Sequence, residues 1–360
     1  MTEIRPAKFE DYSAIESVCN RNSMSLRPYD DFVHLWKEFP NRTEFADLPI
    51  GWVLQGDGGN IVGTFSNVWF SFEWKREPLR ACVAGAWAVD STHRRSSLAL
   101  GAKFFGQRNV DLLINGSASS TAARLMSFYG MSRLPVPEVD LHYIWITDFR
   151  RFAGGALRKL NAPAVPLLSV PLGLVLRLRA LLHNRSSYRP SRNVISVRGF
   201  DESFDEFWQR QRCRTDRLLA VRSSAMLSWR FKYELLRDRA VILAALAPDS
   251  SLEGYVVLVQ HERPHLALTQ YLIADLQVLE ESSPDVTHAL IVNAISAACS
   301  AGCHFVEWVG SNEAKRAAAK QLAPHPHKNP VWQYYYRAAD SLREDLKQVS
   351  IWDPSLYEVF

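Results

Sequence analysis

The sequence predicts a mixed α/β protein made of two similar halves in tandem, and three observations carry that expectation. At 360 residues the chain exceeds one ordinary core, so two domains of roughly 150–180 residues are the natural division. Hydrophobic residues make up 47% and charged residues 22%, the balance of a packed globular protein. The same order of helical and extended segments also runs twice, within 1–150 and again within 191–360, with a connecting segment at 151–190.

In the first half, Phe9, Tyr12, Ile15 and Val18 recur at helical spacing. A second helix is expected around Tyr29 to Glu38. Strand-like runs follow at Trp52–Leu54, Ile61–Phe65 and Arg80–Val89, with Gly58-Gly59 as a turn. A helix is expected from about Ser97 to Gln107, a strand at Val110–Ile114 and a helix from Ser119 to Tyr129. Gly130 closes that helix, and His142–Ile146 reads as the last strand of this half.

The second half repeats the plan. Helices are expected at Phe204–Arg214 and Ser224–Tyr233, a hairpin at Ala240–Ala245 and Gly254–Gln260, and a long strand at His265–Val278. Helix, strand and helix follow at Val286–Ser300, His304–Val309 and Glu313–Leu322, with a closing strand at Trp332–Arg337. A meander leading into strand–helix–strand–helix–strand is a mixed α/β layout and excludes a doubly wound nucleotide fold.

The segment with most chemical content is Ala86-Trp-Ala88-Val89-Asp-Ser-Thr-His-Arg94-Arg95-Ser96-Ser97-Leu98-Ala99. A strand ends at Val89 and a helix is expected near Ser97. Unpaired amides at a helix start carry partial positive charge and suit a pyrophosphate. This stretch resembles the coenzyme A-binding sequence Q/R-x-x-G-x-G/A of the GNAT acyltransferase superfamily, with Arg94 and Ala99 matching and Ser97 in place of the first glycine. Ala122, Leu125 and Gly130 resemble the family's next helix and turn. Its thiolate-protonating tyrosine falls here on Met126, with Tyr129 three residues later. Arg222, Leu227, Trp229, Arg230 and Phe231 resemble the R-x-x-x-x-L-x-W-R-[FY] signature of tandem GNAT-like proteins.

The fold class implied is therefore α/β, two GNAT-like mixed-sheet α/β domains in tandem. The activity implied is acyl transfer from acetyl-CoA or another acyl-CoA to a small-molecule or sugar amine, by direct attack and without a metal. Ala88, Val89, Arg94, Arg95, Ser96, Ser97, Leu98 and Ala99 are the expected cofactor-binding residues, and Tyr129 the candidate acid. Asp275, a carboxylate inside an apolar strand, is the candidate base or else a structural group. The second half's turn, Glu280 to Asp285, lacks glycine and carries three acids, so one cofactor per chain is expected, in the first half.

A Fem-type aminoacyl transferase, holding tRNA, and a non-catalytic binding protein are the alternatives. The net charge of +4 otherwise gives no sign of nucleic-acid binding. Arg210, Arg212, Arg214, Arg217 and Arg222 form a basic entrance that suits either solvent or an acyl carrier protein. Five scattered cysteines lack a C-x-x-C pair, and MTEIRPAKFEDY is not a leader, so a cytoplasmic protein is expected. The apolar run Ala162–Leu182, broken by three prolines, reads as a packed connection or a peripheral membrane contact through 170–185, with Arg177, Arg179 and Arg185 near headgroups. It is not expected to span a bilayer.

Overall fold

The computed structural model describes residues 2–183, 192–214, 216–279, 284–310, 312–328 and 333–359. Arg185, Glu280, Glu281 and Trp332, which entered the expectations above, lie outside them. The first half contains β1 (Glu3–Pro6), α1 (Tyr12–Arg21), α2 (Tyr29–Lys37), β2 (Gly51–Gln55), β3 (Ile61–Trp74) and β4 (Glu77–Val89). It continues through α3 (Ser97–Phe105), β5 (Leu112–Ala118), α4 (Ser120–Met126), β6 (Ser132–Arg133) and β7 (Leu141–Ile146).

A helical hairpin, α5 (Phe149–Lys159) and α6 (Val165–His183), occupies the connection. The second half contains β8 (Asn193–Val197), α7 (Glu202–Arg214), β9 (Leu219–Ala220), α8 (Ser224–Leu236), β10 (Ala240–Leu246), β11 (Leu252–Arg263) and β12 (Leu268–Val278). Then come α9 (Pro284–Ser300), β13 (Phe305–Trp308), α10 (Glu313–Gln321), β14 (His325–Lys328) and β15 (Gln333–Ala338).

The two sheets have one plan, in the orders β1-β2-β3-β4-β5-β15-β6 and β8-β10-β11-β12-β13-β7-β14. Each is completed by a strand from across the chain. β15 pairs antiparallel with β5 through Tyr336↔Ile114, and β7 pairs antiparallel with β13 through Val306↔Trp145. The sequence places His142–Ile146 and the 333–337 strand correctly as strands, but each belongs to the opposite sheet. Strand patterning reports which face is buried, not which edge a strand joins, so pairings 161 and 222 residues apart leave no local trace.

Each sheet splays at one point. β4 and β5 pair in parallel only over Ala81–Val83 and Leu112–Ile114, and a bulge at Gly85–Ala86 follows at once, opposite Ser66. β12 and β13 pair over Gln270–Ile273 and Phe305–Trp308, and a bulge at Ala274 follows in the same place. An extra residue bends one strand away from its neighbour. Beyond it the strands diverge toward the starts of α3 and α9.

Candidate active site

At the end of β4 the chain enters helical geometry earlier than the sequence implies. A six-residue 3₁₀ stretch, Ser91–Ser96, runs directly into α3, with Asp90 as its N-cap in extended geometry. The Ser97 amide already donates to Arg94 O, and the His93 amide to Asp90 O. The amide expected to cradle phosphate at Ser97 is thus spent, and the unpaired helix start moves to Ser91 and Thr92. Runs of Ser, Thr and Arg carry no signal separating a 3₁₀ lead-in from a loop.

The charges around this turn favour an anion. Arg94 and Arg95 are exposed, as are Leu98 and Ala99; Ser96 and Ser97 are half-buried, and Ala88 and Val89 are buried against β3. The acid at the turn, Asp90, is held bidentately by Arg21 at 3.0 and 2.7 Å. Arg94 Nη2 donates to Asn22 Oδ1 at 2.8 Å, which orients the guanidinium at the mouth of the turn.

Below the turn the packing is aromatic. Trp87, the first residue after the bulge, stacks on Phe65 with ring centroids 4.8 Å apart. Tyr129 stacks on Phe105 at 4.4 Å, and its hydroxyl donates to Leu98 O at 2.8 Å. Burial pushes this phenol's pKa up. Gly101 makes the contact possible, because a Cβ there would lie 2.6 Å from the Tyr129 hydroxyl. Tyr129 therefore ties its turn to the first turn of α3. Met126, at the position of the family's tyrosine, is fully buried.

Asp275 occupies the position in β12 that Trp87 occupies in β4, since each follows its bulge. It does not line an open cleft. It is fully buried and accepts from Arg222 Nε and Nη2 at 2.8 and 3.2 Å, Tyr255 Oη at 2.9 Å, Gln277 Nε2 at 2.8 Å and Ser355 Oγ at 3.2 Å. Arg222 also reaches Glu358 at 2.7 Å. Both oxygens of Asp275 are saturated, so the general-base expectation gives way to the structural one.

This buried network joins the halves. Leu219 and Ala220 of β9 pair with β3 in the first sheet, Asp275 belongs to the second, and Glu358 to the C-terminal tail. Burial works against the charge on Arg222, but Asp275 and Glu358 outweigh it and raise its pKa well above the ordinary value. Burial likewise pushes the Glu358 carboxyl up, with Arg222 opposing. Nearby, Lys315 Nζ donates to Asp353 at 2.6 Å and Leu276 O at 2.7 Å. That pair divides unequally: burial wins at the ammonium and lowers its pKa. At the carboxyl, Lys315 and Arg217 overcome burial and hold it below the usual range.

The signature residues serve the same joint. Arg230 donates to the carbonyls of Tyr357, Leu356 and Val359, and Trp229 packs on Phe39 and Phe70 of the first half. The basic entrance is largely consumed: Arg210 donates to Leu252 O, Arg212 pairs with Glu73, and Arg217 lies 3.8 Å from Asp353. In the final strand Tyr334 and Tyr336 are buried and Tyr335 is half-buried. A crevice of about 380 Å³ opens at the end of β12, lined by Arg217, Leu279, Pro284, Thr287, Asn312 and Lys315.

No protein-family profile and no curated protein sequence matches this chain. Solved structures do. A GCN5-related N-acetyltransferase from Anabaena variabilis superposes with a TM-score of 0.58 at 12% identity, over 95% of this chain and 74% of that one. A probable N-acyltransferase of unknown function from Enterococcus faecalis gives 0.59 at 9%, over 94% and 73%. Saccharomyces cerevisiae N-myristoyltransferase with bound myristoyl-CoA gives 0.56 at 9%, over 94% and 83%. The chain has the GNAT fold these proteins share, in two halves.

Proposed function

We propose that this protein transfers an acyl group from an acyl-CoA thioester to an amine, with the cofactor in the first half. The observation that carries the reading is the divergence of β4 from β5 beyond the Gly85–Ala86 bulge, which opens onto a helix start flanked by Arg94 and Arg95. Acyltransferases among the structural neighbours, one of them holding myristoyl-CoA, support it.

In this reading the pyrophosphate sits on the amides of Ser91 and Thr92, with Arg94 and Arg95 supplying charge-assisted hydrogen bonds. The pantetheine arm runs into the splay past Trp87. The acceptor nitrogen attacks the thioester carbonyl; a C–N bond forms, the C–S bond breaks, and the thiolate leaves. With Asp275 sealed in its ion pairs, the reading assigns no carboxylate base, and the acceptor's proton passes to water along the divergent strands. The acceptor is a small-molecule or sugar amine, shaped by the second half.

The test combines calorimetric titration with acetyl-CoA and longer acyl-CoAs and an assay of thiol release with candidate amines. Binding that weakens in Arg94→Ala/Arg95→Ala supports the reading. A folded protein that binds no acyl-CoA contradicts it and leaves the aminoacyl-transferase and non-catalytic alternatives, which tRNA binding separates.

A further inference from the structure

The helical hairpin of the connection is inside-out for a water-facing element. The side of α6 that packs on α5 is small: Ser169 is buried, and a Cβ on Gly173 would lie 2.9 Å from Arg150 Cα. Its outward side is large and apolar. Leu167 is 76% exposed, Leu174 57%, Val175 59%, Leu178 51%, Leu181 65% and Leu182 73%. Covering a leucine is worth roughly 1.5–3 kcal/mol, and a contiguous apolar patch of this kind marks an interaction surface. By length and composition Val165–Leu182 is also sufficient to cross a membrane.

The charges around that face decide what covers it. From residue 148 to 183 the chain carries one acid, Asp148, against Arg150, Arg151, Arg158, Lys159, Arg177 and Arg179. Asp148 is already engaged, capping α5 through the Arg151 amide at 2.9 Å. Arg150 and Arg177 both line a crevice of about 720 Å³, whose walls also include Asp148, Val170 and Leu174. An apolar helix edged by arginines complements a surface that is anionic outside and hydrocarbon within. A protein partner with an apolar groove would not require that rim. A span is disfavoured because Arg177 and Arg179 sit within the helix and its small-residue side is occupied by α5, which packs through Phe152 on Phe305 of β13.

We propose that the α5–α6 hairpin docks this protein on an anionic phospholipid bilayer. In this arrangement α6 lies in the interfacial plane with its leucines below the headgroups, and Arg150 and Arg177 bind lipid phosphates at the crevice. The proposal is independent of acyl transfer.

Flotation of the full-length protein with phosphatidylcholine vesicles, with and without phosphatidylserine, tests it. The expected result is binding to the serine-containing vesicles that falls with rising salt. Leu174→Asp/Leu178→Asp, at exposed positions that leave the fold intact by circular dichroism, should weaken partitioning by more than about 100-fold. Arg150→Gln/Arg177→Gln should weaken it by roughly 10- to 30-fold on anionic vesicles only. Three results would each overturn the proposal: no flotation with anionic vesicles, equal binding to both compositions, or retention through alkaline carbonate, which marks a span. A concentration-dependent dimer that Leu174→Asp dissolves, without vesicle binding, would overturn it in favour of a second copy of this chain.

Discussion

The ends of β4 and β12 are the same backbone device put to opposite uses. Both strands bulge immediately after their parallel pairing and diverge toward a helix start. In the first half the residue after the bulge is Trp87, in an aromatic wall below an exposed basic turn. In the second it is Asp275, fully buried and holding Arg222, Tyr255, Gln277 and Ser355. Helix α9 also begins with Pro284, which has no amide hydrogen to offer, followed by Asp285. The same strand-end device thus ends in an aromatic, basic turn in one half and in a buried ionic network in the other.

The largest expected effect is at that joint. Arg222→Leu leaves Asp275 and Glu358 buried without their cation, and should cost about 3–5 kcal/mol of unfolding free energy in denaturant titration. An unchanged midpoint would mean the network does not hold the halves together. Next, Arg94→Ala/Arg95→Ala should weaken acyl-CoA binding by about 1–3 kcal/mol, while Arg217→Ala at the second cleft leaves it unchanged. The reverse pattern would move the cofactor to the second half.

A smaller effect sharpens the role of Tyr129. Tyr129→Phe removes one hydrogen bond to Leu98 O and should lower stability by about 1 kcal/mol. As a packing residue it should leave the pH dependence of turnover unmoved; loss of the alkaline limb would make it the acid.

The acid limb of stability gives the mildest test. The carboxyls of Asp353 and Glu307 are held below the ordinary range by Lys315 and by His142 and Arg263, against burial. Each contributes stability that is present above the unfolded value near 4 and is lost as pH falls through the depressed folded value. Glu358, raised by burial, has the opposite sign and offsets part of this. Chemical unfolding followed from pH 6 to 3 should show falling stability, flattened in Asp353→Asn. An acid limb unchanged by that substitution would remove the pair from the account.

Much of this was legible in the sequence because it is local. Helical spacing placed α1, and short strand-like runs placed the meanders. The turn after Val89 showed its arginines, and Ser97 in place of glycine already marked a departure. What was not legible is long-range. The exchange of β7 and β15 depends on edges far apart in sequence. Asp275 looked like a base or a structural group until Arg222 and Ser355 were brought to it, from 53 and 80 residues away. Glu358 meets Arg222 from 136 residues away and gave no sequence signal.

The division of labour between the clefts is tested most directly by titrating the protein with acyl-CoA while following amide hydrogen exchange. One equivalent should bind per chain, with protection concentrated in residues 84–99. Two equivalents, or protection confined to residues 276–279 and 284–290, would contradict that division.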